Sequence, residues 1–475
     1  MSIGKINIYN YLTLILVIGL ILIKYNTLSL PYFWDEAWPY ATGIHLMHND
    51  GLSLLPGAIS FEISRGHPLL FHFSSAAWMR IFGNTIFISH IFPLLISCSL
   101  IYMTYFTGKT FFSPAIGFFS TLTLSIQPVF LAQSSMLLPE IMLATLSLVT
   151  LYFYITEKKI LFVVSATSML LTKESGIVLL AAFIIKESIA CLSKGSRIQF
   201  KKEYLIRISL VLIPIFLSFT FFILQKIKTG NFFLPLYTAG DNFILSNIYN
   251  KFISYSSFLF IYQGRNGLST LLILSLIFIF IASKKILIIR RQNEIIFLLF
   301  IFIILFLIFS ASNFYSPRYL LNILPIFILV TYYFFFNAFK KIKWVLYTGL
   351  LIVISAGSLF CLQKKFVDDH NLSYTDAINV SEDAVKFCEQ NNLFQSRIFA
   401  NFLMRTYLTN STCGYLKAGR AFTNVSYEFT KETEYVIMLN YEKDDFIESV
   451  SKRNDFSLIN RFERSIAWCE IYKRK

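Results

Sequence analysis

The chain has 475 residues, of which 56% are hydrophobic and 51 are Phe, and it carries a formal net charge of +15. With a mean hydropathy of +0.61 it is no ordinary soluble globular protein; the uncharged runs from Leu271 to Ala282 and from Ile295 to Ala311 are those of a polytopic membrane protein. The charge does not indicate nucleic acid: 16 bases and 16 acids cancel from Gln363 onward, so the excess is spread over the apolar part and no compact basic domain exists.

In chain order, a first span from about Tyr9 to Leu30 ends at Pro31-Tyr32-Phe33-Trp34-Asp35-Glu36-Ala37-Trp38, two adjacent carboxylates at a membrane edge. Buried acids are costly unless paired, metal-bound or used as a base, so Asp35-Glu36 reads as the centre of an active site. The apolar run is too long for a cleavable signal and no small-residue cleavage site follows it, so it is expected to remain as an anchor. The loop from Tyr32 to Gly83 holds the amphipathic stretch Ala41 to Asn49 and an apolar stretch from Gly66 to Phe82. Because the latter is short and carries His67, His72 and Arg80, both read as external amphipathic helices.

Further spans are expected near Ile86 to Thr107, Ser113 to Ala132, Glu140 to Thr156, Ile160 to Thr172, Gly176 to Leu192 and Leu205 to Gln225. Four more run near Gly267 to Ser283, Glu294 to Ser312, Arg318 to Phe339 and Trp344 to Leu362, about eleven in all. With the N-terminus cytoplasmic, the inner loops hold 17 bases against four acids, among them Lys5 and Lys284-Lys285. That orientation puts Asp35-Glu36, Glu140, Lys173-Glu174, the long loop Lys226 to Asn266, Arg318 and the tail on the outer side. In that loop Lys226, Lys228 and Asp241 suggest no specific role.

From residue 363 to 475 the chain turns polar and mixed. Helical spacing from Tyr374 to Gln390 and Asp444 to Lys452, with strands near Arg397 to Phe402, Tyr435 to Leu439, Phe456 to Arg461 and Ile466 to Tyr472, indicates an extracytoplasmic α/β domain. It shows neither a phosphate loop nor metal-ligand spacing and reads as a lid or docking domain. Its cysteines Cys388, Cys413 and Cys469 would allow one disulfide. The fold expected is thus an all-α polytopic membrane bundle over 1–362 plus a C-terminal extracytoplasmic α/β domain over 363–475.

Five motifs recur in order on the expected outer face: Trp34-Asp35-Glu36, Arg65-Gly66-His67-Pro68-Leu69-Leu70, Leu137-Leu138-Pro139-Glu140, Leu171-Thr172-Lys173-Glu174 and Ser316-Pro317-Arg318-Tyr319-Leu320-Leu321. Together they resemble the membrane-embedded glycosyltransferases of the C-type fold, in particular the protein O-mannosyltransferase and lipid A aminoarabinose transferase superfamily. The resemblance covers about Tyr9 to Phe339. It implies transfer of a sugar from a polyprenyl-phosphate-linked donor to an acceptor hydroxyl or phosphate of a glycan, lipid or protein outside the cytoplasm. It also implies that Asp35 contacts the acceptor and acts as base, with Glu36 beside it; a carboxylate in a partly dry cleft can take the proton of an otherwise poor nucleophile.

Glu140 is the second acid; the family commonly has Asp there. A divalent metal ion, if the reaction uses one, would take Asp35, Glu140 and His67. Lys173 and Arg318, with Arg65 or Arg265, supply positive charge for the leaving lipid phosphate, and Tyr319, Glu174 and His67 complete the set. Each has a plainer role as well: a helix-capping Glu140, a local Lys173-Glu174 pair, an interfacial Arg318-Tyr319 anchor. The competing class, a transporter or flippase of lipid-linked saccharides, would place ionisable residues deep within spans, which are here nearly free of charge.

Overall fold

The computed structural model describes residues 7–193, 202–235, 244–282, 290–363, 366–442, 449 and 453–475. Lys5, Asp241, Lys284-Lys285 and nearly all of the expected helix Asp444 to Lys452 fall outside them.

Helices dominate up to residue 362. They are α1 (Ile8–Tyr25), α2 (Thr42–Asp50), α3 (Phe61–Ser64), α4 (Leu70–Phe82), α5 (Ile86–Phe111), α6 (Pro114–Ser125), α7 (Pro128–Gln133), α8 (Pro139–Ile155), α9 (Lys159–Thr172) and α10 (Ile177–Ser193). Then come α11 (Lys202–Thr229), α12 (Leu245–Phe260), α13 (Arg265–Ala282), α14 (Arg290–Ala311), α15 (Leu324–Phe339) and α16 (Lys343–Leu362). By length and composition five described helices can each cross a membrane, and the α12–α13 pair, bent by 84°, makes a sixth; α6, α8, α9 and α15 are shorter apolar helices. The protein is an integral membrane protein. α5 and α6 meet at glycines: a Cβ on Gly108 would lie 2.6 Å from the Gly117 Cα, so these backbones approach as only small residues allow.

Three elements differ from expectation. The span from Ser113 to Ala132 breaks into α6 and α7, because Gln127 precedes Pro128 and takes an extended conformation with φ −75° and ψ 127°. The long loop before Asn266 contains α12, closed by Gly264 at φ +80°. The span expected from Arg318 starts instead as a 3-10 turn, Pro317–Asn322, since Pro325 is tolerated only in the first turn of α15.

The remainder is α17 (Tyr374–Gln390), α18 (Phe402–Thr409) and a five-stranded sheet of β1 (Ile398–Ala400), β2 (Val425–Ser426), β3 (Tyr435–Leu439), β4 (Phe456–Arg464) and β5 (Ala467–Arg474). The order is β2-β1-β3-β5-β4, with β1 parallel to β2 and β3, and β5 antiparallel to β3 and β4. Cys388, Cys413 and Cys469 are buried free thiols, so the disulfide envisaged for the tail is not formed.

This part packs against the first loop in one continuous apolar core that includes Tyr32, Phe33, Tyr374 and Leu408. Tyr32 N–H donates to the Cys413 carbonyl at 3.0 Å, and buried Lys24 donates to Tyr374 Oη at 2.8 Å and to the Leu131 carbonyl at 3.1 Å. The tail is thereby fastened to the C-terminal end of α1 and to the segment carrying Asp35.

Candidate active site

Asp35 and Glu36 stand at the start of a kinked segment, Glu36–Ala41, broken at Trp38 (φ −147°, ψ 120°), behind Trp34, whose φ is 52°. A bulky residue in that region is strained and is held only by its surroundings. The kinked segment sends the two carboxylates to different places. Glu36 is 2% exposed; it accepts from the N–H groups of Phe33 at 3.1 Å and Leu137 at 2.7 Å and contacts His90 Nε2 at 2.8 Å. It ties the loop to α5 and to the chain before α8, and does not join the charge cluster. Glu36, expected beside Asp35 in the site, therefore points away from it, held by Phe33, Leu137 and His90.

Asp35 faces the cluster. Its Oδ1 accepts from Arg65 Nη2 at 3.0 Å and its Oδ2 pairs with Arg318 Nη2. Arg65 is the left-handed C-cap of α3 at φ 52°, followed by Gly66 at φ 72°, where an added Cβ would meet the Leu234 N at 3.1 Å. This tight reversal carries Arg65 back to Asp35 and sets His67 Nδ1 2.9 Å from Glu174 Oε2.

Arg318, from the 3-10 turn, is the hub. Besides Asp35 it pairs through Nη1 with Asp369, and its Nε lies 3.5 Å from Glu140 Oε1. Glu140, in the first turn of α8 beside Pro139, also accepts from Lys173 Nζ at 2.9 Å, while its Oε2 is buried without a hydrogen bond among the described residues. Lys173 lies 4.0 Å over the ring of Tyr319, a cation–π contact. Three carboxylates, Asp35, Glu140 and Asp369, thus face three cations, Arg65, Lys173 and Arg318. Removing one member of such a buried set leaves a charge uncompensated.

Electrostatics follow from these contacts. Burial alone would raise the Asp35 carboxyl, but Arg318 and Arg65 outweigh it and hold the group below the usual carboxylate range. Burial likewise opposes the charge of Lys173, yet Glu140 keeps it protonated, well above its ordinary value. Glu174, raised by burial, is brought below its ordinary value by His67.

Two sequence-derived assignments do not meet at the cluster. Arg265, 0% exposed, donates through Nε and Nη2 to the Phe258 carbonyl and through Nη1 to Gln127 and Gln263; it pins the α12–α13 bend and presents no group to a phosphate. The metal set Asp35, Glu140 and His67 does not converge either: both carboxylates are engaged by cations and His67 is turned to Glu174.

Asp369 was not singled out from the sequence. Asp368-Asp369-His370 follows the last span much as Asp35-Glu36 follows the first, and that symmetry was the available signal. A cavity of about 760 Å³ opens beside Asp35, Arg318 and Asp369, with Phe258, Tyr315 and Phe366 on its apolar side. Charged groups are thus gathered beside a half-apolar chamber.

The comparisons with known proteins narrow this. Residues 66–222 match the family described as dolichyl-phosphate-mannose-protein mannosyltransferase. The fold matches the crystal structure of ArnT from Cupriavidus metallidurans in the apo state, with TM-score 0.57 and 10% identity, covering 98% of each chain. The same protein bound to undecaprenyl phosphate gives TM-score 0.55 at 11% identity, covering 99% of this chain and 98% of that one. An oligosaccharyltransferase of Archaeoglobus fulgidus aligns over 92% of this chain and 70% of its own at 9% identity, but a TM-score of 0.45 is too loose to support the fold assignment. No curated protein matches the sequence. Residues 66–222 are thus similar to that mannosyltransferase family, and the chain as a whole shares the ArnT fold.

Proposed function

We propose that the protein transfers a sugar from a polyprenyl-phosphate-linked donor to an acceptor hydroxyl or phosphate on the outer side of the membrane. The observation that carries this reading is the Arg318 guanidinium, held between Asp35, Glu140 and Asp369 at the wall of the cavity. A phosphate entering there meets a planar fork of donors suited to its oxygens, with Lys173 reached through Glu140. The apolar side of the cavity suits the first isoprene units. The binding of undecaprenyl phosphate by the ArnT relative agrees with this choice of donor.

In this reading Asp35 is the base. The anomeric C–O bond to the donor phosphate breaks, the acceptor oxygen bonds to the same carbon, and the acceptor proton passes to Asp35. The lipid phosphate leaves as an anion on Arg318 and needs no proton. When the donor phosphate takes Arg318, Asp35 loses one of its two cations and becomes more basic, so donor binding readies the acid for the acceptor. Glu140 orders Arg318 and Lys173. His67, Glu174 and Tyr319 hold the surroundings of Lys173.

The topology proposed with it has eleven spans: α1, α5, α6 with α7, α8, α9, α10, α11, α12 with α13, α14, α15 and α16. The N-terminus is cytoplasmic, and residues 363–475 form an outer domain over a transferase domain of 1–362. The transporter or flippase alternative gains nothing from the family match. The test is incubation of the purified protein with a panel of polyprenyl-phosphate sugars and an envelope extract as acceptor. Consumption of one donor with release of polyprenyl phosphate is expected; consumption of none contradicts the function.

A further inference from the structure

The cavity wall has a charge problem. Among its described lining residues are three acids, Asp35, Asp368 and Asp369, and one cation, Arg318. Arg65 offsets Asp35 from behind, and Asp368 has no lysine or arginine partner among the described residues. A wall with surplus negative charge repels an anionic donor, and the lipid phosphate released is more anionic still.

Asp368, Asp369 and His370 each offer one ligand atom, all within 4.8 Å of one another. His370 is 4% exposed, and its Nδ1 has no hydrogen bond among the described residues. That nitrogen lies 3.0 Å from Asp368 Oδ1 and 4.0 Å from Asp369 Oδ1. A buried imidazole nitrogen set close among carboxylate oxygens is the arrangement that a shared cation resolves. The triplet is also held in place: Gln133 Nε2 donates to the Asp369 carbonyl at 2.7 Å and Gln263 Nε2 to the His370 carbonyl at 3.0 Å. Phe258 packs edge-on against the His370 ring at 5.2 Å. Such outer contacts fix the orientation of metal ligands.

We infer that Asp368, Asp369 and His370 bind one divalent transition-metal ion at the cavity wall. The donor set of two carboxylate oxygens and one imidazole nitrogen suits Mn²⁺ or Zn²⁺, whereas Mg²⁺ and Ca²⁺ prefer oxygen alone. Three protein ligands leave coordination positions open to the cavity. If the proposed transfer is right, a donor phosphate oxygen takes one of them, and the ion together with Arg318 offsets the charge of the leaving lipid phosphate.

The experiment is titration of the full-length, chelator-stripped protein in nanodiscs with Mn²⁺ alone, followed by electron paramagnetic resonance. One ion per chain is expected, with a nitrogen coupling from the imidazole. Asp368→Asn and His370→Gln should each weaken binding about tenfold or more, the range typical of altered metal sites. His67→Gln and Asp35→Asn should bind as the parent does, which separates the metal site from the assignment of the catalytic base. Absence of stoichiometric binding by the parent overturns the inference, as does undiminished binding in both site variants. Should the variants not fold, the parent's spectrum decides: bound Mn²⁺ without nitrogen coupling also overturns it.

Discussion

Arg318 and Asp369 are paired across 51 residues of sequence, joining the 3-10 turn before α15 to the chain that leaves the last membrane helix. The contact makes the polar tail part of the site, since Asp369 shares the guanidinium on which the proposed donor phosphate depends.

Arg318→Lys keeps the charge and removes the fork, so one ammonium must serve three carboxylates. Loss of one partner in a buried pair costs about 3–5 kcal/mol, and a lysine should recover part of it. A lowered thermal midpoint and weakened donor binding are expected, with Arg318→Ala worse in both. Unchanged donor affinity in the lysine variant would contradict the role of the fork.

Glu36→Ala should differ in kind from changes at Asp35. It strips the acceptors from two buried N–H groups and the partner from His90, at about 1–3 kcal/mol for each group left unsatisfied. Yield and thermal stability should fall, while turnover of the remaining folded protein stays near the parent value. A folded, stable but inactive variant would return Glu36 to the chemistry.

The Asp35 carboxyl, held low by Arg318 and Arg65, gives a signed pH effect. A group whose folded value is depressed contributes stability above its unfolded value, about 3.9 for Asp, and that contribution is lost as pH falls through the folded value. The thermal midpoint should therefore lose this contribution only below about pH 4. Asp35→Asn should lack that acid limb. Identical acid limbs in the two proteins would contradict the pairing.

Gly117→Leu tests the packing of α5 on α6. A Cβ at this position would lie 2.5 Å from the Tyr105 carbonyl oxygen, with no room to relax along the backbone. Poor insertion or strongly reduced stability is expected, of the several-kcal/mol size that forced overpacking reaches at its upper end. Normal expression and melting would show that the helices are farther apart.

Much of the bundle was legible because apolar runs of the right length announce membrane helices, and Asp35, Glu140, Lys173 and Arg318 stand at the edges of such runs. Asp35 and Glu36 look equivalent in sequence, whereas the kinked segment that follows them sends their carboxylates to different places. Asp369 escaped notice because its partner is distant in the chain and only the return of the tail reveals it. Helix α12 was hidden by Asn247, Asn250 and Lys251, which break its apolar pattern. The break at Pro128 did have a local signal, the proline itself, but the apolar run across it looked continuous.

The most direct measurement is donor consumption by purified parent and Asp35→Asn proteins, each reconstituted with the polyprenyl-phosphate sugar that the parent uses. If Asp35 takes the acceptor's proton, the variant should bind that donor normally and transfer its sugar about 10²–10⁴-fold more slowly. Transfer at the parent rate by a folded Asp35→Asn protein would contradict the assignment of the base and, with it, the proposed site.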